Sequence, residues 1–330
     1  MRRRRPTDES LEGTRRSRTF YPVSDPSIAA KMQAVSSQGY YTYLLHQDIK
    51  TVIPYDFGRG DGPSARVIGP DRDRVQRLIA AAISVRDHSY SLTESLRQFV
   101  SSTAENLVFD GTVTYEIDYL PPAGTTAERP TSFRLDLVAP GTTGSHKGRP
   151  IRYVPTAFDG QQDETGLHYV ELDPATLVIF RLDPNLEEPV RKMIAFLRAV
   201  DGQQCAKAAL MEQSVTGRSS YNFAKHQRKR SELFAEATRS VGWNVRGLFK
   251  ESHLEPYEVW RQIRFLEFKI RVRDSIIDRL NAALADVGQR IGFEVSIEVS
   301  GLPTLQDVES AKEDLRLGRR GLKDLTNFAI

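Results

Sequence analysis

Residues Pro256–Val287 read PYEVWRQIRFLEFKIRVRDSIIDRLNAALADV. Val259, Trp260, Ile263, Leu266, Ile270, Ile276, Ile277, Leu280, Ala283 and Leu284 return every three or four positions, the period of one helix face. Pro256 suits a first helical turn, where a missing N–H costs nothing. Gly288 is the expected stop, because glycine relieves the left-handed turn after a helix. At 1.5 Å per residue this helix is about 48 Å long, roughly three times the average. Phe265, Phe268 and Val272 add a second apolar side, so the middle of the rod is expected to be covered on two sides. The charges there are mostly basic: Arg261, Arg264, Lys269, Arg271 and Arg273. A long rod, apolar on two sides and basic between, points to a spanning or assembly element rather than to the support of a small catalytic pocket.

Working outward, the chain has 330 residues, enough for one large domain or two ordinary ones. Its 39% hydrophobic and 27% charged content fits a soluble globular protein. Lys+Arg minus Asp+Glu is 46 − 43 = +3, so local clusters say more about nucleic acid than the overall charge does. Cys205 is the one cysteine. It excludes an intrachain disulfide and a cysteine-based zinc cluster, and it fits a reducing compartment. The six histidines, at 46, 88, 146, 168, 226 and 253, make no close metal-ligand pair. No apolar run approaches the ~18 residues of a membrane span. Arg2–Arg5 precede no apolar region, so the start does not read as a secretory signal.

Residues 1–27 read as a disordered basic arm. Residues 28–35 read as a short helix, and Tyr40, Tyr41, Tyr43, Leu44 and Leu45 as a buried cluster. Residues 55–70 are rich in Gly, Pro and Asp and read as a loop. Asp71 opens a helix carrying Val75, Leu78, Ile79, Ala82 and Ile83. Ser91 and Glu94 form a capping-box pattern for the next helix, which Gly111 ends. Val113, Tyr115, Ile117 and Tyr119 alternate with polar residues, the period of a half-buried strand. Further strands are expected at 133–137, 151–154, 167–171 and 175–182. Helices follow at about 187–201, 203–213 and 219–240. After the long rod come an alternating strand at 293–299 and a helix from Leu305, capped by Thr304 and Asp307 and ended by Gly318. The fold class is therefore α+β: a helical core with a long central helix at about 256–287, and a β-hairpin-rich module at about 111–182. The organisation is a basic arm at 1–27, an α+β module at 28–182, and a helical region at 183–330 closing with a strand and a helix.

Catalytic motifs are not evident. In Gly141-Thr142-Thr143-Gly144-Ser145-His146-Lys147-Gly148 the lysine lacks the preceding glycine and following Ser/Thr of a phosphate-binding loop, and strands flank it on both sides. A hairpin loop is the expected structure. No G-x-S-x-G elbow or H-E-x-x-H helix is present. Cys205 lies in an Ala-rich helical context that suits a core thiol. The chain is expected not to be an enzyme, with no catalytic residue, metal or cofactor. The segment Arg218, Tyr221, Phe223, Lys225, His226, Arg228, Lys229, Arg230 is more informative. Basic residues interleaved with aromatics can neutralise phosphates and stack on bases. The same pattern also describes a helix with Tyr221 and Phe223 in the core and its charges solvated.

Four passages resemble the tailed-phage portal proteins. FVSSTAENLVFDGTVTYEI at 99–117 resembles their helix running into a glycine-led strand that opens a β-hairpin module. DRDRVQRLIAAAISVRD at 71–87 is similar to the helix before it, and LDPATLVIFRLD at 172–183 looks like the strand that closes the module. LEPYEVWRQIRFLEFKIRVRDSIIDRLNAAL at 254–284 is similar to the long helix along the ring. The resemblance covers about residues 71–316, in element order and short motifs. The usual Gly-x-Ser-rich passage after the closing strand is missing. The chain is also short for the family and lacks its long C-terminal crown, which leaves the terminase-docking clip unassigned. The resemblance implies a wing-like module at 28–182, a stem-like region at 183–330, and a homo-oligomeric ring of twelve subunits at one capsid vertex of the virion. It implies assembly in the bacterial host cytoplasm and a channel for packaging and ejecting double-stranded DNA. It implies capsid protein, terminase and head–tail connector proteins as partners, and no membrane. On this reading Trp260, Phe265, Phe268 and Val272 are candidates for the subunit interface. Arg218, Lys225, Arg228, Lys229 and Arg230 are candidates for DNA contact. The alternative is a non-enzymatic nucleic-acid-binding protein that uses segments 2–5 and 218–230.

Overall fold

The computed structural model describes residues 21–22, 39–57, 62–84, 91–121, 130–139, 141–155, 167–202, 223–247 and 254–329. The expected helices at 28–35 and 203–213, and Cys205, lie outside the described residues.

The rod is one α-helix, Glu255–Ile291, of 37 residues, about 56 Å long. It runs one turn past Gly288. That glycine is not a stop: a Cβ on it would lie 2.3 Å from the carbonyl oxygen of Phe293. Gly288 is there so that the returning chain can cross the helix closely. The stop is Gly292, at φ 93°, whose N–H donates to the Gly288 carbonyl at 2.7 Å.

Around this rod the chain is α+β. In order it forms β1 (Tyr21–Pro22), α1 (Tyr40–Ile49), β2 (Ser64–Ile68), α2 (Arg72–Ala82), α3 (Leu92–Asp110), β3 (Thr112–Leu120), β4 (Ser132–Val138), β5 (Thr143–His146), β6 (Arg149–Pro155), β7 (Leu167–Glu171) and β8 (Leu177–Arg181). Then come α4 (Pro184–Asp201), α5 (Phe223–Thr238), α6 (the rod), β9 (Ser296–Ser300), α7 (Leu305–Leu317) and α8 (Leu322–Ala329). The helix starts are specified locally. Ser91 Oγ accepts the Glu94 N–H, and Asp183 Oδ1 accepts the Asn185 N–H. Thr304 and Asp307 complete a reciprocal capping box. Asp71 opens α2 differently, from a left-handed conformation at φ 57° and through its carbonyl rather than its side chain.

Among the described residues three antiparallel sheets form. One has the order β4-β3-β8, one β1-β7-β6-β5, and the third pairs β2 with β9. Half of the Gly-rich stretch at 141–148, Thr143–His146, is strand. β5 and β6 meet at a two-residue turn with His146 opposite Arg149. Lys147 and Gly148 both take positive φ, 50° and 77°, as a type I′ hairpin requires. β2 replaces part of the loop expected at 55–70. It is held in register by a strand far along the chain, Ser64 opposite Ser300 and Ile68 opposite Ser296.

One hydrophobic core takes side chains from α1 through β9, so residues on both sides of position 182 share it. At its centre Phe99, Tyr115 and Phe180 pack ring to ring, 5.0–6.0 Å apart. The buried Tyr115 hydroxyl pairs with Thr103 Oγ1 at 2.8 Å. Burial pushes its pKa up to about 12, with the Thr103 bond acting the other way. A second, separate core lies on the N-terminal half of α6. There Val259, Ile263, Leu266 and Ile270 meet Val308, Ala311, Leu325 and Ala329 of α7 and α8.

The aromatic cluster at 40–45 divides. Tyr41, Leu44 and Leu45 enter the core, while Tyr40 and Tyr43 are 60% and 48% exposed. A helix with one buried face cannot bury successive positions all round.

Candidate functional site

The basic side chains of α6 do not form an exposed stripe. Arg261, Lys269 and Arg273 are buried. The Arg261 guanidinium donates to Thr238 Oγ1 and to the Trp243 carbonyl, at the C-terminal end of α5, where a cation suits the helix dipole. Burial pushes its pKa down, against the pull of Glu258 and Tyr257. Arg264 donates to the Ser240 carbonyl at 2.9 Å. Arg273 donates to the Pro303 carbonyl at 2.9 Å and thereby holds the approach to α7. Arg271 and Lys312 share the Glu267 carboxylate. The basic residues of the rod therefore mainly fasten the segments that cross it.

The five DNA-contact candidates separate. Arg218 lies outside the described residues, as does the side chain of Lys225. Arg228 and Lys229 are exposed, with Lys229 3.9 Å from Glu232. Arg230 turns inward, which corrects its reading as a phosphate contact. It donates to the Tyr41 hydroxyl and lies 5.4 Å over that ring and 5.9 Å over Phe234. Phe234 is one helical turn on and buried, so Arg230 belongs to the face of α5 that meets α1.

The four interface candidates separate as well. Phe268 and Val272 are 3% and 2% exposed, within the chain's own core. Their apolar side is therefore already covered inside the subunit, which corrects their placement at an interface. Phe265 is half-buried and stacks on Phe268 at 6.1 Å, with the Lys269 ammonium 5.4 Å from its ring. Trp260 keeps an accessible face. It stacks on Tyr257 with centroids 5.7 Å apart and planes at 16°, and the Arg264 guanidinium lies 5.5 Å over it. One turn earlier Leu254 is 79% exposed. Tyr257, Trp260 and Arg264 form a ladder along the N-terminal third of the rod. Tyr257 and Arg264 were missed as partners of Trp260; their i, i+3, i+7 spacing is the signal that places them on one face.

At the entrance to α1, the Asp201 carboxylate accepts the Tyr41 and Thr42 N–H groups at 2.9 Å and the Thr42 hydroxyl at 2.8 Å. Asp48 in turn accepts Trp243 Nε1 at 2.8 Å and Arg246 Nε at 2.8 Å. His46 lies 2.9 Å from Glu105. Burial lowers the His46 pKa, helped by Lys50, and raises that of Glu105. These polar contacts join α1 to α3, α4 and the turn after α5.

No helix among the described residues is long and apolar enough to cross a membrane. No protein-family model matches the chain. No curated protein matches it either. Among solved structures, the chain is similar in fold to one described as "Neck of empty GTA particle computed with C6 symmetry". The TM-score is 0.50 at 9% sequence identity, covering 91% of this chain and 92% of that chain. At that identity the likeness is one of fold.

Proposed function

We propose that this chain is a structural, non-enzymatic, ring-forming subunit of the head–tail neck of a phage-like particle. Within that class we assign it a portal-like role, with DNA passing through the ring. The observation that carries the reading is the extent of the fold match, which spans nearly all of both chains, with a neck particle as the similar structure. The neck of that structure was computed with six-fold symmetry, and a ring of twelve is compatible with it. A closed ring repeats a heterologous contact, in which one patch of each subunit meets a different patch of the next. The Tyr257–Trp260–Arg264 ladder supports such a contact: its aromatic and arginine side chains are of the kind enriched at interface centres.

Mass photometry of the purified protein tests the reading. The expected species is a large closed oligomer, and a strict monomer at high concentration would overturn the ring. The Tyr257→Ala/Trp260→Ala variant is expected to keep its melting temperature within a few degrees and to lose the ring. A ring that persists in this variant removes the ladder from the contact. The second reading, a standalone nucleic-acid-binding protein, draws on the exposed Arg228 and Lys229. It predicts salt-sensitive DNA binding by a monomer, lost when both become alanine.

A further inference from the structure

The stretch Arg316-Leu317-Gly318-Arg319-Arg320-Gly321-Leu322-Lys323 joins α7 to α8. It holds four cations, all with exposed side chains, and is bordered by the acids Glu313, Asp314 and Asp324. We infer that this turn is a nucleic-acid backbone contact, separate from α5, that binds phosphates without reading base sequence.

Two of the cations are already engaged. Arg316 clasps Glu313 through two hydrogen bonds, at 2.8 and 2.7 Å. Arg320 lies 4.0 Å from Asp314 and 5.9 Å over the Phe328 ring. Arg319 and Lys323 form no ion pair among the described residues; Arg319 adds only to the field that lowers the Glu313 pKa, behind the Arg316 hydrogen bond. The turn is fixed in place. The Arg319 N–H donates to the Asp314 carbonyl at 2.9 Å, and the Gly321 carbonyl accepts Asp324 and Leu325 at 3.1 Å. Leu325 is fully buried in the satellite core on α6, so the cations project from a platform rather than from a tail. Gly318 sits at φ 63°, and a Cβ there would meet nothing within 4 Å. The backbone at Gly318 is therefore uncovered by the rest of the described residues.

The chemistry favours a polyanion over a protein. Protein interfaces gather aromatic side chains at their centre and are depleted in lysine. This turn offers one exposed apolar side chain, Leu317 at 41%, surrounded by cations. Its exposed groups are the cations that phosphate oxygens take, and contacts to phosphate carry no sequence information. The inference needs only this helical hairpin and stands whether or not the chain forms a ring.

The test is fluorescence anisotropy of a random-sequence 30-base-pair duplex with the full chain, from 50 to 200 mM salt. Each phosphate neutralised costs about 3.5-fold in affinity over that range, by the ~0.9 log–log slope per contact. The variant Arg319→Ala/Lys323→Ala is expected to weaken binding at 50 mM. It should also lose about 12-fold less affinity across the range than wild type, the contribution of two contacts. Its melting temperature should not move, since both side chains are exposed. Equal losses on unrelated duplexes support backbone contact. The idea is overturned if wild type does not bind, if the variant keeps the wild-type affinity and slope, or if only the oligomeric mass changes. The Arg228→Ala/Lys229→Ala variant separates the two surfaces. If it abolishes the salt dependence while Arg319→Ala/Lys323→Ala changes nothing, the α7–α8 turn is excluded and the α5 surface is not.

Discussion

Replacing Asp201 by alanine isolates a cap that crosses the fold. Asp201 is the last residue of α4, yet its carboxylate receives two backbone N–H groups and one hydroxyl at the start of α1. Gly39, at the N-cap of α1, supplies no side-chain cap of its own. It is glycine because Asp201 comes so near: a Cβ on Gly39 would lie 2.1 Å from the Asp201 Cβ. A lost N-cap costs roughly 1 kcal/mol. Hydrogen bonds to a charged group contribute about 1.5–3 kcal/mol each, and they do not add fully when shared. Truncation should therefore cost roughly 2–4 kcal/mol. With ~2.1 cal/mol/K of unfolding entropy per residue over about 330 residues, each kcal/mol moves the midpoint by about 1.4 °C. Asp201→Ala should melt about 3–6 °C below wild type in calorimetry. Asp201→Asn keeps one acceptor oxygen without the charge and should fall between. Amide exchange at Tyr41 and Thr42 should accelerate in both variants. An alanine variant that melts within about 1 °C of wild type, with unchanged exchange in α1, would refute the cap.

Two further predictions concern the rod. The Lys269 side chain is 7% exposed, with only a 3.5 Å contact to Thr51 Oγ1 and the Phe265 ring beside it. Burial pushes its pKa below the usual 10.5, and the charge of Asp48 opposes this. The unfolded chain then holds the proton more tightly, so stability rises with pH between the lowered value and 10.5. Lys269→Met should gain about 1–2 kcal/mol at pH 7, shrinking toward pH 10.5 in urea titrations; a loss at pH 7 would sink the argument. Gly242 and Gly318 make a matched pair, at φ 84° and 63°. A Cβ at 242 would come within 2.6 Å of the Arg261 carbonyl and the Phe265 nitrogen, whereas at 318 it meets open space. Gly318→Ala should cost about 1 kcal/mol in strain, and Gly242→Ala about 2–4 kcal/mol once overpacking is added. Equal shifts in thermal melts would show that the close crossing of α6 does not matter.

What the sequence made legible was what local chemistry determines. The rod's apolar period, the Thr304–Asp307 box and the alternation of Val113–Tyr119 each act within a few residues, and each is found in place. β2 was hidden because its partner lies more than two hundred residues away and its five residues carry little pattern. Gly288 misled for a related reason. A glycine that ends a helix and a glycine that admits a crossing chain are the same letter, and only the position of Phe293 tells them apart. Of the candidate site, composition showed that cations were present but not which way they pointed.

That last point decides how the molecule can meet a partner. A buried cation is tolerated where it finds carbonyls to satisfy it, as Arg261 and Arg273 do, and the half-buried Arg264 likewise finds the carbonyl of a segment crossing the rod. Arg230 is held by an aromatic pair instead. Once these are set aside, and beside the exposed Arg72, Arg74 and Arg77 of α2, the exposed positive charge discussed above lies in two places. It comprises Arg228 and Lys229 on α5, and Arg319 and Lys323 on the α7–α8 turn. A channel or groove lined by few cations holds DNA weakly, since affinity grows with each phosphate neutralised. Weak, sequence-blind contact is what a passage for moving DNA requires, whereas a repressor-like protein would need a dense basic face and side chains aimed at base edges. The carbonyl bonds of Arg261, Arg264 and Arg273 hold the crossing segments on the rod, so these three charges serve the fold rather than an outside polyanion.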